Sequence, residues 1–328
     1  MAYSTVAGHD ILASIFTPKR VEEVQRHGAH VKVPVLVFWH GGGFVVGDRL
    51  YEPWWPNWVL ELALSQQAMI VAPDYRLLPE ACGADILQDM DAFWTWFLGT
   101  LPSMAACESW SVRPDVDHIV CAGHSAGASI AAHSALERPD AGIKALVSFY
   151  GALFDSPDFK IARPRMIAGS WPPPPREAEA KIRSYIRRTK GTVRTDGDPA
   201  EMWELFTSIL QQGRLPRIFH QRPDPRLNIL GRIEAKKSLP PIWLVHGQND
   251  SVVSKKHTKI ERVLADYWCM MQQVPVACST EFVKRLEAIL PDAPSVLSVL
   301  PGEHCFDVSL TMQEPWIADG CGFLLKYW

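Results

Sequence analysis

The sequence predicts an α/β protein: a mostly parallel central sheet with helices on both faces and an inserted helical segment. Two observations carry this. Continuous apolar runs of strand length alternate with segments whose apolar residues recur at helical spacing. That rhythm breaks between Asp155 and Leu239, where the charge balance switches to 17 Lys/Arg against 10 Asp/Glu. The expected division is therefore a core of residues 1–154 and 240–328 with a cap at 155–239.

Taken in order, Ile11–Phe16 follows a Gly8-His9 turn and reads as part of an antiparallel edge. Val35–Trp39 and Met69–Pro73 are continuous apolar runs of the kind a strand buried on both faces requires. From Asp85 to Leu98 the residues Ile86, Met90, Phe93, Trp94 and Phe97 fall on one helical face. His118–Ala122 predicts a strand and Ala126–Leu136 the helix after it. Leu146–Tyr150, Ile242–His246 and Val296–Leu300 complete the parallel strands, with a helix-like stretch near Glu281–Ile289 and a closing helix at Gln313–Lys326. Inside the insertion, the run Trp171-Pro172-Pro173-Pro174-Pro175 excludes regular helix and central strand. Glu177–Thr189 and Pro199–Gln212 follow as helices, the second with Met202, Trp203, Leu205, Phe206 and Ile209 on its apolar face.

Composition narrows the class. With 328 residues, 47% of them hydrophobic, the chain can bury a large core. A net charge of −3 lacks the basic excess of a dedicated nucleic-acid binder. No apolar run reaches the ~18 residues of a membrane span, and Asp10 interrupts the stretch where a signal peptide would need an unbroken apolar core. Seven scattered cysteines without a C-x-x-C pair favour reduced thiols in a cytoplasmic protein over a disulfide framework or a zinc site.

The sharpest motif is Gly123-His124-Ser125-Ala126-Gly127, a G-x-S-x-G pattern between a predicted strand and a predicted helix. This context places the serine on a strained turn, its flanking glycines leaving room for the backbone. The following helix aims its N-terminal N–H groups where negative charge develops. His40-Gly41-Gly42-Gly43 follows the first buried strand, so Gly42, Gly43 and Ala126 are the expected oxyanion donors, with His40 bracing the loop. A serine needs a base, and the base needs an orienting acid. In the chain order Ser, acid, His, Asp250 follows strand Ile242–His246 and His304 follows strand Val296–Leu300. Both stand at the carboxyl edge where open α/β sheets place their sites. Ser125, Asp250 and His304 are thus the catalytic candidates. Glu303 and Asp307 compete for the acid role but lie too close in sequence to His304 to orient it easily.

These residues resemble the α/β-hydrolase fold and, within it, the hormone-sensitive-lipase-like esterases. His40-Gly41-Gly42-Gly43-Phe44 is similar to that group's oxyanion motif, and Pro73-Asp74-Tyr75-Arg76-Leu77-Leu78-Pro79-Glu80 to its segment after the next strand. The resemblance covers Pro34–Tyr150 closely and Pro241–Phe306 more loosely. It implies a carboxylester hydrolase with a Ser-His-Asp triad, no metal or organic cofactor, and a cap over the site. The chain departs from the group at His124, where an acidic residue is usual, and in the sequence around the triad acid. It looks more like fungal α/β hydrolases of natural-product tailoring in secondary metabolism.

Thirteen tryptophans, with Trp54 and Trp55 close after the oxyanion loop, either wall an apolar or aromatic pocket or pack that loop against the core. His124 is a further candidate lining residue. Arg183, Arg187 and Arg188 form either a solvated helix face or an attraction for an anionic substrate or an acidic acyl-carrier protein. A homodimer stays open. Hydrolysis of a small ester, lactone or other acyl substrate leads. An amidase or formamidase, an acyltransferase, or a proton-transfer cyclase or lyase could use the same residues, whereas a binding protein on this fold would typically lack a triad member.

Overall fold

A computed structural model describes residues 1–19, 30–108, 110–153, 167, 171–250 and 274–328. One sheet runs in the order β1-β2-β4-β3-β5-β6-β7-β8. Its strands are β1 Ala2–Val6, β2 His9–Phe16, β3 Val31–Trp39, β4 Met69–Pro73, β5 Val112–His124, β6 Ile143–Phe149, β7 Ile242–Gly247 and β8 Ser295–Leu300. From β4 through β8 every neighbouring pair is parallel, while β1–β2 and β2–β4 are antiparallel.

The expected antiparallel segment is present, but it lies one strand in from the edge. Ala7 (φ 50°) and Gly8 (φ 81°) make a two-residue turn with both φ values positive, which folds β1 back along β2. Strand β5 starts before the expected His118 because Val112–Pro114 pairs with Val31–Val33 ahead of a register shift. Residues Val35–Trp39 and Met69–Pro73 are all buried, which accounts for their unbroken apolar sequence.

Helices cover both faces. On one, α1 Asn57–Ser65 and α10 Pro315–Leu324 meet across Trp243, whose ring lies 5.3 Å from Trp58 and 6.1 Å from Trp316. On the other, α2 Gly83–Thr95 crosses α4 Ala126–Glu137, joined by a 2.8 Å hydrogen bond from Trp94 Nε1 to Ser134 Oγ. Between them in sequence, α3 (Leu101–Cys107) follows a π-helical turn at Trp96–Thr100. The sequence reading missed α1, whose nine residues follow an aromatic, proline-bearing stretch with no side-chain cap.

Residues 155–166 and 168–170 of the predicted insertion lie outside the described residues. Beyond them come α5 Pro175–Arg188, α6 Pro199–Gln211, α7 Leu215–Phe219 and α8 Ile229–Ile233. Leu205, Phe206 and Ile209 of α6 are buried as the periodicity predicts. The α5–α6 connection rests on the loops that leave β3 and β4. The Arg194 guanidinium donates to Glu80 (2.9 Å) and to the carbonyls of Leu78 (2.6 Å) and Val45 (2.9 Å). Gly47 N–H donates to the carbonyl of Gly197 at 2.7 Å. Helix α8 packs instead against α4 and against α9 Ala277–Ile289. No helix among the described residues is long and apolar enough to cross a membrane.

The covering of Trp243 is tight: a Cβ on Gly320 of α10 would sit 1.9 Å from the indole Cζ2. Gly320→Ala is expected to cost about 1–3 kcal/mol through overpacking. Gly322→Ala, two residues on and facing open space, should be neutral or stabilising by up to about 1 kcal/mol. Thermal melts of the two variants check the pair; equal melting temperatures would contradict the packing.

Candidate active site

The site grows from the ends of five strands. Ser125 follows β5 with φ 54° and ψ −119°, a conformation rare for a side chain with a Cβ. Its N–H donates to the carbonyl of Phe149 (2.9 Å) and its carbonyl accepts from Ala152 N–H (3.1 Å), so the loop after β6 holds the strained turn on both sides. The flanking glycines are obligatory. A Cβ on Gly127 would meet the Trp39 carbonyl oxygen at 2.1 Å, and one on Gly123 the Gly127 carbonyl oxygen at 2.4 Å. The Ser125 hydroxyl is buried and has no hydrogen-bond partner among the described residues.

Asp250, just beyond β7, and His304, beyond β8, meet in a buried pair with Nδ1 2.8 Å from Oδ2. Asp250 Oδ1 accepts from Val274 N–H at 2.9 Å. Burial pushes the Asp250 carboxyl up, but the His304 charge and the hydrogen bonds from His246 and His304 outweigh it and hold the group below the usual carboxylate range. Asp307, the rival acid, points elsewhere: its Oδ2 accepts from Trp58 Nε1 at 3.0 Å, and burial raises its carboxyl. Tyr150, which ends the β6 turn at φ 38°, sets its ring 4.6 Å from His304 and 6.3 Å from His124. The end of β5 and the loop after β8 therefore converge on one aromatic ring.

The glycine loop after β3 turns sharply through Gly42 (φ 102°) and Gly43 (φ 58°). A Cβ on Gly42 would fall 1.8 Å from the Val46 carbonyl oxygen, whose residue donates back to the Gly42 carbonyl at 3.0 Å. The Gly42 and Gly43 N–H groups have no acceptor among the described residues. His40 braces the loop as expected: Nδ1 lies 2.9 Å from the Gly41 carbonyl, and the ring stacks on Tyr75 at 4.3 Å. Tyr75 O–H in turn donates to the carbonyls of His40 (2.8 Å) and Gly41 (3.1 Å). Burial pushes both His40 and His124 down to about 3, so both are neutral imidazoles.

The three expected pocket residues do different things. Trp54 is buried against Gly42 and Gly47 and is used in packing the loop. Trp55 stacks on Phe38 at 4.6 Å and lines an apolar groove of about 410 Å³, with Phe16, Leu60 and Leu64, whose walls do not include Ser125. His124 accepts a hydrogen bond from the glycine loop after β3, at Gly41 N–H. His246, which lies near the end of β7 and belongs to none of the motifs, also reaches the Asp250 carboxylate. Its Nε2 lies 3.2 Å from Asp250 Oδ2 and 2.9 Å from the Val274 carbonyl, and its Nδ1 2.8 Å from Ser279 Oγ. The only signal was its place four residues before the acid at the end of a strand. Among the described residues, no group of three or more His, Cys, Asp or Glu side chains is placed to hold a metal ion.

A strand–Ser125–helix elbow, a glycine loop beside it and a carboxylate–imidazole pair at the same sheet edge define an α/β hydrolase. A family model of the α/β-hydrolase fold matches residues 36–268, and the chain belongs to that family, in its hormone-sensitive-lipase-like branch. Among its relatives, a probable carboxylesterase M8 of Phoma sp. is 49% identical over 99% of this chain and 94% of its own. A probable carboxylesterase clz11 of Cochliobolus lunatus is 50% identical over 60% of this chain and 91% of its own. The same fold recurs in a Staphylococcus aureus protein of unknown function (TM-score 0.64, 19% identity, 98% of this chain and 97% of that one). It recurs too in Thermogutta terrifontis esterase 2 phosphonylated by sarin (TM-score 0.58, 17% identity, 99% and 91%). The protein is a carboxylesterase-like hydrolase.

A neutral buried His40 links stability to pH. Its folded-state value of about 3 lies below the ordinary 6.5, so as pH falls through that window the unfolded chain takes up a proton that the folded chain refuses. Burial moves Asp74 the other way, up to about 6, so the wild type alone mixes opposing effects and a difference isolates one. The stability of wild type minus that of His40→Gln is expected to fall by up to about 1.4 kcal/mol per pH unit below pH 6.5. Urea melts at pH 7.5, 6.5, 5.5 and 4.5 measure it; a pH-independent difference would mean the imidazole protonates in the folded state.

Proposed function

We propose that the chain hydrolyses a small carboxylic ester or lactone through an acyl-enzyme on Ser125, with His304 as base and Asp250 as the orienting acid. The observation that carries this reading is the elbow itself. Ser125 is held in a strained conformation at the head of α4, its hydroxyl buried and without a partner among the described residues. A strained backbone that the surroundings overdetermine is characteristic of functional positions.

In this reading Ser125 Oγ attacks the carbonyl carbon while its proton passes to Nε2 of His304. Asp250 accepts from Nδ1–H, which fixes the tautomer and stabilises the imidazolium as it forms. The developing oxyanion accepts hydrogen bonds from the N–H groups of Gly42, Gly43 and Ala126, each such donor supplying about 3–4 kcal/mol in the transition state. His304 then protonates the departing alkoxide, and water, deprotonated by the same imidazole, releases the acid from Ser125. The low titration range of Asp250 supports this assignment, since the carboxylate stays ionised wherever His304 has to gather a proton.

Helices α5 and α6 are proposed as the cap, because their connection rests on the loops leaving the carboxyl ends of β3 and β4. Helix α8, packed on α4 and α9, is assigned to the core, which draws the cap more narrowly than residues 155–239. The carboxylesterase names of the relatives favour an ester over an amide, and the aromatic surroundings of the loop favour an apolar or aromatic substrate.

Fluorophosphonate labelling with peptide mapping tests the reading. Wild type should label at Ser125, and His304→Ala should not. Against a short-chain aryl ester, Ser125→Ala should lower kcat by roughly 10,000-fold to 1,000,000-fold, and Asp250→Asn by about 10,000-fold with the fold retained. Esterase activity that survives Ser125→Ala, or label on another residue, would overturn it.

A further inference from the structure

We propose that His124 is a positioning residue for catalysis: its bare Nε2 accepts the Gly41 N–H and thereby locks the oxyanion loop to the strand that carries the nucleophile. The inference rests on the reading of Ser125 and the glycine loop given above and goes beyond it by assigning the neighbour of the serine a specific task.

The geometry is direct. Gly41 N–H lies 3.0 Å from His124 Nε2, and a Cβ on Gly41 would fall 2.6 Å from Nδ1 of the same ring, so the imidazole lies flush against this peptide unit. The ring is fixed from several sides, at 5.5 Å from Phe38, 6.3 Å from Trp54 and 6.3 Å from Tyr150. The carbonyl of Gly41 is held at the other end, by Tyr75 O–H and by His40 Nδ1. Gly41 is therefore gripped at both its N–H and its C=O, immediately before the two glycines whose N–H groups lack acceptors.

An acceptor at this place requires an uncharged ring. A protonated imidazole would present N–H against N–H, and burial opposes that form. The hydrogen from the ring then resides on Nδ1, leaving Nε2 as acceptor. An aromatic ring of the same size without an acceptor would leave the Gly41 N–H buried and unpaired, and the loop would shift to seek a partner. Oxyanion donors work only when they point at the place the anion will occupy, so a shift of an ångström is felt in the rate far more than in substrate affinity. Because His124 adjoins Ser125 in the chain, its bond also sets the distance between nucleophile and donors.

The experiment compares His124→Phe, which keeps a ring and removes the acceptor, with His124→Gln, whose amide oxygen reaches the place of Nε2. The inference expects His124→Phe to lose at least tenfold in kcat on an aryl ester with KM changed less than about twofold. Fluorophosphonate inactivation should slow by a similar factor, and His124→Gln should recover most of both. Hydrogen exchange of the peptide spanning residues 40–47 should speed up in His124→Phe, with the rest of the chain unchanged. If His124→Phe does not fold, His124→Met takes its place. Equal losses in Phe and Gln variants, or a lowered melting temperature with kcat intact, would overturn the inference while wild-type labelling at Ser125 leaves the serine reading standing. A folded wild type that does not label would overturn both.

Discussion

The contact on which the rest of the site depends is that between the end of β3 and the start of α4. The carbonyl oxygens of Trp39 and His40 approach Gly127 so closely that a Cβ there would lie 2.1 and 2.4 Å from them. Helix α4 can dock at that distance only with glycine in its first turn. Once it does, the serine before it, the loop after β3 and the helix N-terminus are fixed relative to one another. The run of Ala, Gly and Ser through much of α4, all buried from Ala126 to Leu136, follows from the same requirement. A bulkier helix could not lie against the sheet at this depth.

Around that contact, the loops at the carboxyl ends of the strands are tied by buried or half-buried ion pairs rather than by apolar packing alone. Arg49 pairs with Asp74 just beyond β4, Arg76 with Asp89 (2.9 Å), and Arg194 with Glu80 (2.9 Å). Such pairs contribute little net stability against a well-packed apolar alternative, but breaking one by removing a single partner costs about 3–5 kcal/mol. Their directional bonds give the loops one arrangement. In that respect they do for the backbone what stacked rings such as His40 on Tyr75 do for the side chains.

How much could be read in advance depended on how local the signal was. Strands β3, β4 and β7 were legible because burial on both faces leaves unbroken apolar runs, and Ser125 because its elbow needs glycine at fixed offsets. Asp250 and His304 were legible only through chain order and strand ends, and the geometry brings them within 2.8 Å. Partners across the sheet were not legible. That His246 would reach the same carboxylate, that Trp58 would occupy Asp307, or that Trp54 would wedge against Gly42 depends on side-chain directions over long sequence separations. His124 shows the difficulty well: its position in the motif was plain, yet the direction of its ring was not encoded in the motif's spacing.

The sheet also distributes rigidity unequally among the groups of the site. Ser125 leaves β5, flanked on both sides by other strands and buried over its last six residues, whereas His304 leaves β8, the terminal strand, half-exposed along its whole length. Terminal strands open locally at a fraction of the free energy of global unfolding. If the proposed triad is the working arrangement, fraying of β8 would carry its imidazole away while the serine stayed in place, and activity at elevated temperature would be limited by one edge before the whole domain melts.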